Sequence, residues 1–330
     1  MDLTLKTLHL EDVLANHGQD MTGKIVAVTG TTSGTGYVCA RELARKGATV
    51  ILLNRQSQRA TESAQNLQQE VPNGVFDAIT CDLQDFASVQ TAIDTIKSKY
   101  DKLDVLVNNA GVMALKDQAT KDGYDVQIQT NVLSHFLLTK GLFPLLMASG
   151  QGRVVNHSSM ARLGDPLDMK YFGKNGGNLG GDGTPEENLS FKGPRWQRYH
   201  QTKLANCAFT YGLKEKLEAA GIDQVIPLLA HPGLALTQLQ FTTTEDGGMQ
   251  TSEELMSRGQ SAEDGATGII RAAMDPEAQS GDFFGPENWK GYPDRLPPED
   301  LLFDEANIRV NWEGCEAAVG TFSFSGARGA

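Results

Sequence analysis

The chain has 330 residues, 40% of them apolar and 21% charged, the profile of a globular sequence with enough apolar mass for a full core; disordered and collagen-like classes are excluded. Its 41 acidic residues outnumber its 29 basic ones, giving a net charge of -12, a balance that repels nucleic-acid phosphates and anionic membrane surfaces. The expected partner is a small molecule, with no nucleic acid and no membrane.

Cys39, Cys81, Cys207 and Cys315 are scattered, with no CxxC pair, so they read as thiols of a reducing compartment and no metal site is predicted. Residues 1–20 break their short apolar pairs with Asp2, Lys6, Glu11, Asp12 and Asp20, which leaves no apolar stretch suited to export. No span approaches the roughly 18 uncharged apolar residues of a membrane helix. A cytoplasmic location is expected, with 1–20 forming a weakly helical arm that packs on the body or on a partner.

From residue 24 short β-branched runs alternate with amphipathic stretches: strand 25–28, helix 36–46, strand 49–53, helix 57–70, strand 76–80, helix 86–99, strand 103–107, a long helix 122–148, strand 153–156, helix 196–220 and strand 224–229. Strands interleaved with helices predict right-handed βαβ units and an α/β fold with a doubly wound parallel sheet of Rossmann type. A helix over 262–273 and a seventh strand over 282–284 complete it. A single domain over 21–330 is expected. It carries a glycine-rich insertion at 160–195, a substrate-lid segment at 234–262 that is mobile over 237–260, and a carboxyl-terminal extension at 285–330 that frays from 322.

Strand 25–28 runs into Thr29-Gly30-Thr31-Thr32-Ser33-Gly34-Thr35-Gly36 and then a helix, the strand-turn-helix context in which glycines let a pyrophosphate approach the free N–H groups of a helix N-terminus. At the end of the second strand stands Asn54-Arg55. With no carboxylate to bind a ribose 2′-hydroxyl, and a guanidinium fork suited to a 2′-phosphate, the predicted cofactor is NADP(H). Arg59, one turn on, is a second candidate for that phosphate.

Tyr199 and Lys203 are four apart in a predicted helix and share a face. An ammonium beside a phenol favours phenolate, so the pair predicts a tyrosine lowered towards neutrality and usable as a general acid or base. The fifth strand ends in Asn156-His157-Ser158-Ser159, placing a serine at the carboxyl edge where open α/β sheets bind ligands. There is no Gly-x-Ser-x-Gly elbow, which argues against a hydrolase.

Taken together, Thr29-Gly30-x-x-x-Gly34-x-Gly36, Cys81-Asp82-Leu83, Asn108-Asn109-Ala110-Gly111, Asn131, Ser159, Tyr199-x-x-x-Lys203 and His231-Pro232-Gly233 resemble, in order and spacing, the short-chain dehydrogenases/reductases across about residues 22–290. Thr130-Asn131-x-x-x-His135-Phe136-Leu137-Leu138-Thr139, Tyr199-x-x-x-Lys203-Leu204-Ala205-Asn206 and Gly285-Pro286 are most similar to the retinol dehydrogenase and WW-domain oxidoreductase branch. The resemblance implies an NADP-dependent oxidoreductase interconverting a carbonyl and an alcohol by hydride transfer. Tyr199 would be the general acid/base, Lys203 would lower its pKa and bind the nicotinamide ribose, Ser159 would hold the substrate oxygen, and Asn131 would support a water relay to Lys203. For the cofactor it implies Gly30, Thr32, Ser33, Gly34, Thr35 and Gly36 in the loop and Asn54 and Arg55 at the second strand. Asp82 and Leu83 would meet the adenine, Asn109, Ala110 and Gly111 would line the cleft, and Pro232, Gly233 and Thr237 would hold the carboxamide end.

Ser159 and Tyr199 are 199 − 159 = 40 positions apart, far more than is usual in that family, so the insertion is expected to reshape the substrate mouth. Tyr171, Phe172, Phe191 and Trp196 flank it as either substrate wall or packing, and Phe241, Met249 and Met256 are candidates to close an apolar pocket. Related enzymes pair through the helices corresponding to 122–148 and 196–220, which makes a homodimer by that route possible. His157, His200 and His231 neighbour motif residues without zinc spacing. The rival readings are a non-catalytic NADP(H)-binding sensor or scaffold and a different reduction on the same fold, of a pigment or a C=C bond.

Overall fold

The computed structural model describes residues 5–250 and 253–324. In chain order these form α1 (Leu10–Asn16), β1 (Ile25–Thr29), α2 (Gly34–Arg45), β2 (Thr49–Asn54), α3 (Gln58–Glu70), β3 (Val75–Thr80), α4 (Phe86–Lys99), β4 (Val105–Asn108) and α5 (Val126–Ala148). Then come β5 (Gly152–His157), α6 (Pro185–Leu189), α7 (Gly193–Ala220), β6 (Val225–Ala230), α8 (Gln238–Glu245), α9 (Glu253–Ser257), α10 (Ala262–Met274), β7 (Phe283–Gly285), β8 (Asp294–Leu296), α11 (Asp300–Phe303) and α12 (Glu305–Val319).

The sheet order is β3-β2-β1-β4-β5-β6-β7-β8, parallel throughout except for the antiparallel pair β7/β8. Strands β1, β2 and β4 read Ile-Val-Ala-Val-Thr, Thr-Val-Ile-Leu-Leu-Asn and Val-Leu-Val-Asn and are buried almost throughout, as strands covered on both faces must be. One apolar layer joins α1, α2, α3 and α10 to the sheet, and the other joins α4, α5, α7 and α12. The chain reverses direction across the sheet between β1 and β4, so a crevice opens at their carboxyl ends, where ligands of such folds bind. Helices α3 and α4 start on side-chain caps: Ser57 accepts from Ala60 N at 3.1 Å, and Asp85 from Ala87 N at 2.9 Å.

Several elements differ from the sequence reading. The long helix begins at Val126 rather than 122 and widens into a π turn over Gln129–Leu133. By length and composition it is apolar enough to cross a membrane, but it lies mostly buried inside the molecule. The Tyr199 helix begins at Gly193, with Pro194 in its first turn. The insertion contains 3-10 turns at Met160–Arg162 and Met169–Phe172 besides α6, and the segment expected to be mobile over 237–260 carries α8 and α9. The amino-terminal arm packs on the body. Leu10 and Val13 are buried, and the Asp264 carboxylate accepts from the backbone N–H groups of Leu8 and His9.

The largest correction is at the carboxyl end. Alternation marked no strand or helix after 284, yet β8 extends the sheet and α12 packs across α7. Phe322, placed by the sequence reading in a frayed tail, stacks on Trp312 at 5.8 Å and meets Phe136 and Phe143 edge-on at 5.6 and 5.3 Å. Phe324 joins the same cluster, while 325–330 lie outside the described residues. The chain's own carboxyl-terminal segment thus covers part of the surface of α5 and α7.

Candidate active site

The loop between β1 and α2 is held by two other segments. Thr29 Oγ1 accepts from the backbone N–H groups of Asn109 and Ala110, both at 3.0 Å, and donates to His135 Nε2 at 2.9 Å. The direction of that last bond follows from His135 Nδ1, which faces the Asn131 carbonyl at 3.1 Å and so must carry the hydrogen. Burial pushes the His135 pKa down to about 4, so the ring stays neutral. Gly30 is left-handed at φ 74°, and a Cβ there would fall 2.8 Å from Ala110 Cβ. A Cβ on Gly36 would sit 2.2 Å from the Gly30 carbonyl oxygen and 2.3 Å from Asn109 Nδ2. The glycines are there because three backbones converge.

Ser33 is the N-cap of α2 but its hydroxyl accepts from no helix amide; it meets Arg59 Nη2 at 3.1 Å. The first amides of α2 are therefore uncapped and free for an anion. Gly30, Thr32, Arg55 and Arg59 line a groove that continues past Asp82, Leu83, Ala110 and Gly111. Asn54 borders it, but its amide accepts from Thr31 N at 2.8 Å and donates to Thr31 Oγ1 at 2.7 Å. It shapes the loop, and Arg55 and Arg59 carry the charge. Asn109 is likewise committed: it donates to the Thr29 carbonyl and accepts from Thr35 Oγ1 and His157 Nδ1, each at 2.9 Å. Uncapped amides, a glycine cradle and two cations fit a dinucleotide phosphate chain.

At the other end of the crevice β5 presents Ser159 and α7 presents Tyr199 and Lys203, and all three line one cavity. Tyr199 is 4% exposed. Burial pushes its pKa up to about 12, opposed by a hydrogen bond with Ser159. This corrects the predicted lowering. Lys203 Nζ lies 5.7 Å from the Tyr199 ring centre and donates to the His157 carbonyl at 3.1 Å, and its own burial pulls it down to about 8. Desolvation of the phenol is the larger influence, and the Ser159 bond the smaller one. Asn131 sits in the π turn of α5. Its side chain accepts from Val112 N at 2.8 Å and donates to the Val112 carbonyl at 2.9 Å and to Thr202 Oγ1 at 3.0 Å, while its carbonyl accepts from Asn206 Nδ2 at 2.9 Å. It clamps the 111–112 loop against α7, beside Lys203.

A short chain dehydrogenase family model matches residues 24–169. Mouse retinol dehydrogenase 14 is 33% identical over 329 residues, 91% of this chain and 87% of that protein. The chain belongs to the short-chain dehydrogenase family. An uncharacterized oxidoreductase of Schizosaccharomyces pombe is 39% identical over 67% of this chain, and human retinol dehydrogenase 13 is 32% identical over 71%. The matched region is 62% and 65% of those two relatives' own lengths. Among solved structures, an uncharacterized protein from Mycobacterium paratuberculosis superposes with TM-score 0.73 at 29% identity, covering 97% of this chain and 100% of that one. A Shigella flexneri short chain dehydrogenase complexed with NADP shares the fold at TM-score 0.59 and 22% identity, over 80% of this chain and 98% of that one.

The mouth of the site is a cavity of about 440 Å³. Phe191 from the insertion and Trp196 from the first turn of α7 line it, as do Leu239, Met249 and Leu255 from the 234–262 segment. Tyr171 and Phe172 instead pack in the core under α12, Met256 is buried away from the cavity lining, and Phe241 is exposed. Thr237 lines the cavity and caps α8 through a capping box with Gln240; Pro232 and Gly233 form the adjoining turn. Sequence reasoning missed the two arginines that hold the mouth together. Arg195 donates to the carbonyls of Asp182 and Asp246 at 3.1 and 2.9 Å and pairs with the Asp246 carboxylate at 2.9 Å. Arg198 donates to the carbonyls of Leu179, Gly181 and Leu115 and faces the buried carboxylates of Asp117 and Asp125. The available signal was their place on the Tyr199 helix, one turn before and one residue before the tyrosine. Among the described residues no cluster of three or more metal-ligating groups occurs.

Proposed function

We propose that this chain is an NADP(H)-dependent oxidoreductase that interconverts a carbonyl and an alcohol in the cavity at the carboxyl edge of β5. One observation carries the reading: Ser159, Tyr199 and Lys203 meet in a single cavity whose inner wall, Asn109, Gly111 and Val112, is shared with the groove of Arg55 and Arg59. When bound, the nicotinamide supplies or takes up the hydride. The Ser159 hydroxyl holds the substrate oxygen beside the Tyr199 hydroxyl. Tyr199, kept as phenol by its burial, donates its proton to the oxygen as negative charge develops there. Lys203, still mostly cationic at neutral pH, stabilises the phenolate left behind. For cofactor choice, Arg55 and Arg59 lie on the adenosine side of the groove with no carboxylate from β2 opposing them, which supports a 2′-phosphate.

The test is NADPH and NADH consumption over a panel of aldehydes and ketones, with Tyr199→Phe and Arg55→Ala alongside. The expected result is turnover that falls at least a hundredfold in the tyrosine variant, within the roughly 10²–10⁴-fold range of a general acid, and an NADPH preference that shrinks in the arginine variant. Turnover that survives Tyr199→Phe, or an NADH preference in the wild type, refutes the corresponding half.

A further inference from the structure

Resting on the reading just given, the polar groups of the cavity point to a class of substrate. Almost every polar side chain in its lining is already committed within the protein. Thr35 donates to Asn109, Ser158 donates to the Lys203 carbonyl, Trp196 Nε1 donates to the Gly248 carbonyl, and the Gln240 amide serves the Ala235 carbonyl and Thr237. The remainder of the wall is thioether, aliphatic and aromatic, with Met113, Met160, Leu163 and Phe191 prominent. Lys203 is the one ionisable ammonium or guanidinium in the lining, and it is buried behind Tyr199 on the His157 carbonyl. A substrate carboxylate or phosphate would enter without a counterion, a large desolvation cost.

Besides His157 Nε2, which is sealed in the wall, and the half-exposed indole of Trp289, one polar group of the lining remains, His200. It follows Tyr199 on α7, lines the same cavity, and packs its ring on Trp196 with centroids 6.3 Å apart. Gly164 lies against its Nδ1 edge, where a Cβ would come within 3.4 Å. Its ring nitrogens have no hydrogen-bond partner among the described residues, and the ring is not sealed off like those of His157 and His231, whose Nε2 atoms are fully buried. Burial lowers its pKa, so at neutral pH it offers one donor and one acceptor.

We infer that the cavity takes an uncharged, largely apolar carbonyl compound or alcohol bearing one further hydroxyl or carbonyl group, and that His200 hydrogen-bonds that second oxygen. His200 is a specificity residue: it acts on the remote end of the substrate, while Ser159 and Tyr199 act on the reacting oxygen. A site that offers a hydrogen bond to a substrate group discriminates against analogues lacking it.

The test uses the full chain with NADPH and four ketones: benzylacetone, its para-hydroxy analogue, para-hydroxyacetophenone for a shorter reach, and the para-carboxy analogue of benzylacetone. Binding to the NADP-loaded protein is followed in parallel by quenching of tryptophan fluorescence. The expected result is that at least one hydroxylated ketone exceeds benzylacetone in kcat/KM by roughly five- to tenfold, the worth of one hydrogen bond, and that the carboxylated ketone is the poorest of the four. In His200→Leu the hydroxylated-to-plain ratio should collapse to about one through KM, and in His200→Gln it should partly recover. Thermal melting of each variant checks folding, and the ratio is internal to each variant, so a general loss of activity does not imitate it. Turnover of these ketones with no preference for the hydroxyl, a ratio unmoved in His200→Leu, or preference for the carboxylate overturns the inference and leaves the carbonyl chemistry standing. Quenching by the hydroxylated ketones without turnover of any carbonyl compound refutes the proposed reaction instead.

Discussion

Replacing Gly36 by alanine adds one methyl group where the β1 loop, the β4 loop and the start of α2 meet. The new Cβ would lie 2.2 Å from the Gly30 carbonyl oxygen and 2.3 Å from Asn109 Nδ2, more than 1 Å inside the ordinary contact distance of roughly 3.5–4.0 Å. Neither neighbour is the loose end of a flexible chain. Gly30 is backbone, and Asn109 is fixed by its bonds to the Thr29 carbonyl, Thr35 and His157. Relief requires the loop to move outward by about 1 Å and the Asn109 bonds to Thr29 and Gly30 to lengthen. Overpacking of this kind costs ~1–3 kcal/mol, and a weakened buried hydrogen bond adds ~1 kcal/mol. For a domain of this size the expected loss in Tm is roughly 3–6 °C. The same movement displaces the uncapped amides of α2, and a 1 Å misplacement of binding groups is worth on the order of a hundredfold. Differential scanning fluorimetry with and without NADPH, and titration calorimetry with NADPH, read the two effects separately. A Gly36→Ala protein that melts within about 1 °C of wild type and binds NADPH equally well would refute the convergence of three backbones as the reason for the glycine.

Three other perturbations probe different parts of the molecule. His135, held neutral with a pKa of about 4 against an ordinary 6.5, contributes stability that is full above 6.5 and lost as pH falls from there towards 4, because the unfolded chain binds the proton first; His135→Asn should start less stable at pH 7 yet lose less on acidification, as followed by urea unfolding at stepped pH. Arg195→Ala should leave the fold intact but loosen the mouth, raising KM about tenfold with a smaller change in kcat, because the 182 and 246 segments lose their common anchor; unchanged KM would show that those segments hold themselves. Trp312→Ala should cost ~3–5 kcal/mol and expose the aromatic face of α5, seen as a lower Tm and a concentration-dependent rise in size on gel filtration, whereas a monodisperse variant melting like wild type would show that α12 is only an ornament.

The parts of this molecule that were legible in the sequence are those where one local rule acts alone. The interior strands of the sheet announced themselves because parallel strands buried on both faces must be runs of Val, Ile and Leu. The glycine loop and the Tyr199–Lys203 pair announced themselves because their chemistry is local in the chain. The extension after β7 did not, because β8 is three residues, Asp294–Leu296, with no alternation, and α12 presents Ile308, Trp312 and Cys315 to a partner surface that exists only once α5 and α7 are folded. Arg195 and Arg198 were invisible for a related reason. Their partners are mostly backbone carbonyls of glycine-rich chain, and a carbonyl leaves no trace in residue identity. The phenol of Tyr199 failed differently: spacing shows that an ammonium is near, but the sign of the shift depends on burial, which spacing does not report.

The polar network of the site separates groups that hold geometry from groups that meet ligand. His135, Thr29, Asn109, Thr35 and Asn131 bond to one another or to backbone, and together they fix the β1, β4 and α5 segments at the point where the sheet reverses. A buried network of this kind rigidifies a site when its members are satisfied. Beside it stands His157, whose Nδ1 carries its hydrogen to Asn109 because the Asn109 amide nitrogen is already turned to the Thr29 and Gly30 carbonyls. That fixes Nε2 as an acceptor, buried and without a partner, in a ring that forms part of the wall between Asn109 and Ser159. An unpaired acceptor in the interior is costly in isolation. That cost falls at the junction of groove and cavity, beside the satisfied network that offsets it.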